Sequence, residues 1–179
     1  MEEEKPKKKR INSKSKGNGN ELKLSKILAE HLAPLKFVRT QSSGAFTGGK
    51  NFAVRKHLFS EEVLKMFVGD IAPTNEADCE VNFRFVIEAK AYKAADSFDS
   101  LFTGKNKIYG WLDEVSVDCV KINKPGIVIF KFNNTPYYCA VRHDIVLPIS
   151  YMTLPSGDKV CYLMELLKYK NFWFTSKEK

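Results

Sequence analysis

The chain has 179 residues, 44% of them hydrophobic and 28% charged, a balance that suits one globular domain and excludes a disordered or fibrous chain. No apolar run approaches the about 18 residues needed to span a bilayer, and the charged N-terminus lacks the apolar core of a secretory signal. Lys and Arg number 29 against 21 Asp and Glu, and the net charge of +8 favours a polyanionic partner, of which nucleic acid is the commonest.

Residues 1–20 carry three glutamates, Glu2 to Glu4, and seven cations, among them Lys14 and Lys16. So few apolar groups cannot order the segment, which reads as a flexible basic tail ahead of a single domain over residues 21–179. The tail is either a solvated appendage or an arm that lies along phosphates and releases their counterions.

Helical spacing of Leu22, Leu24, Ile27, Leu28 and Leu32 predicts a first helix over residues 21–32, capped by Asn20 and ended by Pro34. Residues 37–40 can extend as a short strand, and the Gly- and Ser-rich run 41–50 reads as a loop. A short helix is expected over 61–67 behind the cap residue Ser60, then a strand over 68–71. Residues 83–89 alternate Phe83, Phe85 and Ile87 with Arg84, Val86 and Glu88, the period of a strand. Leu112, Val115 and Cys119, with Trp111 beside them, predict a helix over 109–120. Pro125-Gly126 breaks the chain before a buried strand over 127–132, with which 137–141 can pair. The apolar, aromatic stretch 160–173 reads as a closing helix. The order gives an α/β domain with a mixed sheet.

Cys79, Cys119, Cys139 and Cys161 form no CxxC pair, and no second pair joins Cys139 and His143 to complete a zinc site. They are expected to be free thiols in a reducing compartment.

The chemistry-bearing residues are Gly69-Asp70 and Glu88-Ala89-Lys90, with Glu21 upstream. On a strand, residues 88 and 90 leave the same face, so a carboxylate and an ammonium meet there. Asp70, at the end of a neighbouring strand, adds a second carboxylate, and the Ala89 carbonyl can lie between the two. Such an oxygen-rich site suits magnesium, which keeps several of its waters. A cation there can polarise a phosphodiester and lower the pKa of a bound water, while Lys90 positions that water or stabilises charge on the phosphate. Alone, Glu88 and Lys90 would read as a same-face surface ion pair; the apolar strand the triplet ends, the upstream Gly69-Asp70 and the basic, glycine-rich loop turn the reading toward the site.

Asp70…Glu88-Ala89-Lys90 resembles the signature of the PD-(D/E)XK nuclease superfamily. With Lys16-Gly-Asn-Gly-Asn-Glu21 opening a helix, Arg39-Thr-Gln-Ser-Ser-Gly-Ala45 and Gly69-Asp70-Ile71, it is similar to the Holliday-junction-resolvase-like branch and to small phage nucleases. The resemblance covers roughly residues 16–133 and implies a restriction-endonuclease-like core, a mixed central β-sheet flanked by helices. It also implies a Mg²⁺-dependent endodeoxyribonuclease, with Mn²⁺ able to substitute, acting on DNA, branched DNA included, as a homodimer in the cytoplasm of a bacterium or phage-infected cell. By the same resemblance Asp70 and Glu88 bind the metal with the Ala89 carbonyl, Lys90 is the catalytic lysine, and Glu21 points to the metal, often through water. Arg39, Ser42 and Ser43 match the segment near the scissile phosphate. Two departures stand out. Gly69 replaces the signature's leading proline, and the stretch 50–68 is longer than in minimal resolvases, so junction specificity is not carried over.

Lys50, Arg55, Lys56 and His57 make the central segment basic, and with Lys16 they are expected to contact DNA phosphates. His31, His57 and His143 are scattered and read as structural or exposed. Tyr92 and Lys93 follow the motif and are candidates to flank the substrate, and Lys131 ends a buried strand. Phe172, Trp173 and Phe174 read as packing, with a subunit interface as the other use. A non-catalytic DNA-binding protein on a nuclease-like fold, or an RNA binder using the basic tail, would share the charge but have no use for Asp70, Glu88 and Lys90.

Overall fold

The computed structural model describes residues 13–40, 57–58, 63–64 and 67–176. Helix α1 (Ser13–His31) presents Leu24 and Leu28 at fully buried positions, and Leu32, just past its end, continues the stripe at spacing four. The helix begins at Ser13, eight residues before the expected start at 21, and so takes in the second part of the stretch read as tail. Asn20 is therefore no cap: its Oδ1 accepts a hydrogen bond from the Tyr137 hydroxyl at 2.8 Å. A tertiary contact 117 residues away thus stands where a local cap was expected, on a turn that also contains Gly17 and Gly19.

Among the described residues nine strands lie in two sheets: β1 (Phe37–Arg39), β2 (Ile71–Pro73), β3 (Val81–Phe83), β4 (Val86–Tyr92), β5 (Gly126–Phe132), β6 (Tyr138–Val141), β7 (Met152–Thr153), β8 (Lys159–Tyr162) and β9 (Phe174–Ser176). The main sheet has the order β1-β2-β4-β5-β6-β8-β7, and β3 pairs β9 in a separate ribbon. Only β4 and β5 run parallel, in register from Val86↔Gly126 to Tyr92↔Phe132; the remaining neighbours are antiparallel. A parallel pair needs a crossover, and between β4 and β5 lie the short helix α2 (Asp99–Phe102) and helix α3 (Lys107–Ile122). The Asn106 side chain caps α3 by accepting from the Ile108 amide at 3.1 Å.

The sheet is covered on both faces. Ile87, Ala89, Ile127, Ile129 and Cys139 meet the leucines of α1, whereas Val86, Val128, Phe130 and Ala140 meet Ile108, Trp111, Leu112 and Val115 of α3. This is the expected mixed sheet flanked by helices. It also explains why Val86, on the face read as polar, is buried: α3 covers it.

Three expected elements differ. The strand expected over 68–71 starts at Ile71, because the chain turns at Gly69 with φ +77°. The strand expected over 83–89 is two strands. After β3 the chain shifts at Arg84, whose amide donates to the Trp173 carbonyl at 2.9 Å, and it enters the main sheet at Val86. The closing helix over 160–173 is instead strand β8, two one-turn helices, α4 (Leu163–Leu166) and α5 (Lys170–Trp173), and then β9. Period alone does not separate a short buried strand from a helix, and Cys139↔Cys161 pairing draws the start of this run into the sheet. Phe172 and Trp173 are buried inside the chain, where Trp173 Nε1 donates to the Leu166 carbonyl at 3.1 Å. The two rings therefore pack as expected and are not a surface for a second subunit.

The helix expected over 61–67 and the loop over 41–50 fall mostly or wholly outside the described residues. All four cysteines are free thiols. Among the described residues no helix is long and apolar enough to cross a membrane.

Candidate active site

Strand β4 sets the site. Ile87 and Ala89 point into the α1 side of the core, so Glu88 and Lys90 leave the opposite face. Lys90 Nζ lies 2.7 Å from Glu88 Oε1 and 2.6 Å from Glu114 Oε2 on α3.

Asp70 arrives from the turn before β2. Its amide donates to the Ile87 carbonyl at 2.8 Å, and its carbonyl accepts from the Thr40 amide at 2.9 Å. Buried Thr40 also donates its hydroxyl to the Gly69 carbonyl at 2.6 Å. The backbone of residue 70 is thus sewn to β4 on one side and to the end of β1 on the other. Asp70 Oδ2 then accepts from the Ala89 amide at 2.8 Å, in place of a ladder bond from β2. An extended residue directs its N–H and C=O to the same edge, so the Ala89 carbonyl faces the edge where Asp70 stands.

Glu21, the first residue of the expected helix and on the third turn of the observed one, is ion-paired with Arg39 of β1. It is close enough for its charge to act on Asp70. Residues 21, 70, 88 and 90 therefore converge, although 69 positions separate the first from the last.

The electrostatics are those of carboxylates crowded out of water. Burial, followed by the charge of Asp70, pushes the Glu88 carboxyl up to about 7 against the pull of Lys90. Burial and the charge of Glu21 raise Asp70, opposed by the Ala89 amide and by Lys90. Burial disfavours the Lys90 ammonium, but Glu88 and Glu114 together outweigh it and hold the pKa above its ordinary value. The two carboxylates thus favour the charged form of Lys90.

A family model described as "Phage putative PDDEXK endonuclease" matches residues 12–158, which take in every strand from β1 to β7 and all of the converging residues. The chain belongs to this family. No curated protein and no solved structure matches it.

In this PDDEXK chain the place of the signature proline is structural. Gly69 has φ +77° and donates its N–H to Asp118 Oδ2 at 3.3 Å. Proline has φ near −65° and no N–H, so this turn excludes it.

The donors suit a hard cation in part. Asp70 and Glu88 supply two carboxylates that repel each other, and the Ala89 carbonyl supplies a neutral oxygen at the same edge. Magnesium needs few protein oxygens because it keeps waters. Among the described residues no group of three or more His, Cys, Asp and Glu side chains is arranged to hold a metal ion, in keeping with the pairing of Glu21 to Arg39.

Ser42, Ser43 and Lys50 lie outside the described residues, and so does the side chain of Lys16. Tyr92 stacks on Trp111 with ring centroids 5.1 Å apart. The Lys131 ammonium lies over the Tyr137 ring at 5.1 Å from its centre. His31 bonds the Ile27 carbonyl at 3.0 Å within its own helix, and His143 stands 3.9 Å from Asp158. Sequence reasoning missed Thr40, Glu114 and Asp118. Glu114 and Asp118 lie on a helix read for its apolar stripe, and their only local signal was a spacing of four on its polar side.

Proposed function

We propose that this chain is a divalent-cation-dependent endodeoxyribonuclease that hydrolyses phosphodiester bonds in DNA. The observation that carries the reading is the meeting of Asp70, Glu88 and Lys90: two carboxylates raised by burial, Glu88 also by the charge of Asp70 and Asp70 by that of Glu21, beside an ammonium that stays charged. Asp70 and Glu88, with the Ala89 carbonyl, would hold Mg²⁺, or Mn²⁺ in its place. That cation supplies a lowered pKa for a bound water and polarisation of the phosphodiester.

The chain's own residues do the rest. Lys90 donates hydrogen bonds to a non-bridging phosphate oxygen and offsets the charge that develops as water adds to phosphorus and the P–O bond to the leaving strand breaks. Glu21 and Arg39 form a pair at the rim of the site, where Arg39 can exchange its carboxylate for a phosphate of the incoming strand. The basic segment with Ser42, Ser43 and Lys50, and Lys16 at the start of α1, would follow the backbone on either side.

Branched DNA among the substrates and a homodimer are parts of the proposal that rest on the resemblance, which does not carry over junction specificity. The competing reading, a DNA-binding protein without catalysis, leaves the buried carboxylate pair without a use.

One panel tests these readings. Purified protein is incubated with duplex, single-stranded and four-way-junction DNA, in Mg²⁺ or in EDTA. Cleavage that needs Mg²⁺ and disappears in Asp70→Ala, Glu88→Ala and Lys90→Ala is expected, a loss of at least about 10³-fold for groups that act as a unit. Binding to every substrate with no cleavage in any cation would overturn the nuclease reading in favour of the binding module.

A further inference from the structure

Behind the converging residues, helix α3 presents two carboxylates that the motif does not include. Glu114 and Asp118 are one helical turn apart and so leave the same side of the helix. Each reaches a different half of the site. Glu114 Oε2 accepts from Lys90 Nζ at 2.6 Å, and Asp118 Oδ2 accepts from the Gly69 amide at 3.3 Å, one residue before Asp70. The apolar side of the helix, with Trp111, Leu112 and Val115, is buried against Val86, Val128 and Phe130, so the helix has a fixed place over β4 and β5.

We infer that Glu114 and Asp118 are positioning residues, Glu114 for the Lys90 ammonium and Asp118 for the turn that carries Asp70. The inference rests on the nuclease reading for its consequence in catalysis and on geometry alone for its consequence in the free protein.

Stability does not account for Glu114. Its side chain is 58% exposed, and an exposed ion pair contributes little. Position does account for it. Among the described residues Lys90 has two carboxylate partners, and one of them, Glu88, is a proposed cation ligand. When Glu88 turns its charge to a cation, Glu114 is the partner that keeps Lys90 from swinging away on its four-carbon stem. Asp118 acts on the other half. With the Thr40 hydroxyl on the Gly69 carbonyl, it fixes the peptide before Asp70 at both its donor and its acceptor, so the Asp70 side chain starts from one backbone position. Groups that hold ligating side chains in this way commonly change affinity or rate by about 10–100-fold when removed.

The test uses Glu114→Ala, Glu114→Gln, Asp118→Ala and Asp118→Asn in the full chain. The amide variants keep a hydrogen-bond acceptor and serve as conservative rescues. Three quantities are read: steady-state kinetics on duplex DNA in Mg²⁺, the Mn²⁺-induced rise in Tm without DNA, and labelling of Lys90 by acetic anhydride, followed by mass spectrometry, without DNA or cation.

Glu114→Ala should lower kcat by about 10–100-fold with KM and the Mn²⁺-induced shift unchanged, and should raise Lys90 labelling several-fold. Glu114→Gln should recover part of both. Asp118→Ala should instead weaken Mn²⁺ binding, and Asp118→Asn should restore it. Lys90 labelling and kcat unchanged in Glu114→Ala, or a loss that merely tracks a fall in Tm, would overturn the role of Glu114. An unchanged Mn²⁺ response in Asp118→Ala would overturn that of Asp118. If the wild-type protein cleaves no DNA in any cation, the nuclease reading falls, while the labelling and Mn²⁺ measurements still decide the positioning roles.

Discussion

At Gly69 the chain needs both the left-handed backbone and the missing side chain. A Cβ there would sit 2.6 Å from the Ile87 carbonyl oxygen, a backbone atom of β4, and φ is +77°. Gly69→Ala combines a strained conformation with a contact that only a shift of β4 can relieve, so a loss of about 2–3 kcal/mol is expected. Chemical denaturation reads it as a lower midpoint at unchanged slope. The same shift would move the Asp70 amide off the Ile87 carbonyl, so cleavage should fall further than the lost stability explains. A variant as stable as the wild type would show that the turn tolerates another conformation. At this scale, the shared face of Glu88 and Lys90 was legible in the sequence from the period of a strand, and Asp70 entered the candidate site through the resemblance of the motif. Thr40, Glu114 and Asp118 were not legible, because a hydrogen bond between residues 24 to 49 positions apart leaves no local pattern.

Among the elements, α3 and the second part of α1 were legible because each shows an apolar stripe at helical spacing, and β5 because it is a short continuous apolar run after Pro125-Gly126. The C-terminal stretch was not. Its apolar residues serve three neighbours in turn: β6 beside β8, the α1 side of the core against α4 and α5, and β3 beside β9. Trp173 joins these pieces. It is fully buried, stacks on Phe83 at 6.2 Å between ring centroids and meets Phe85 edge-on at 5.7 Å. Trp173→Ala should therefore cost about 3–5 kcal/mol and release the β3–β9 ribbon. Hydrogen exchange would show lost protection at the Arg84 amide, which donates to the Trp173 carbonyl, while β5 and β6 keep theirs. Uniform loss across the main sheet would mean that the ribbon and sheet unfold as one unit.

For the molecule as a whole, the site is a source of instability that a cation should relieve. The Glu88 carboxyl rises from 4.5 to about 7 on folding. A raised carboxyl pKa means that the folded state binds more protons, so stability falls as pH rises from about 4.5 to 7. A divalent cation that binds only the folded protein reverses this by mass action. Mg²⁺ or Mn²⁺ should therefore raise Tm more at pH 8 than at pH 6, and Asp70→Asn with Glu88→Gln should abolish the rise. An equal rise in that double variant would locate the cation elsewhere. From its sequence alone, this protein is a basic α/β domain with the Glu88-Ala89-Lys90 triplet on a strand, because charge, period and residue type are properties of short segments. Only the tertiary structure decided that Asp70 replaces a ladder bond at the edge of β4, that Glu21 and Arg39 close one side, and that α3 backs the other. These depend on the β1-β2-β4-β5 order and on the turn at Gly69, and strand order arises from packing between segments distant in the chain.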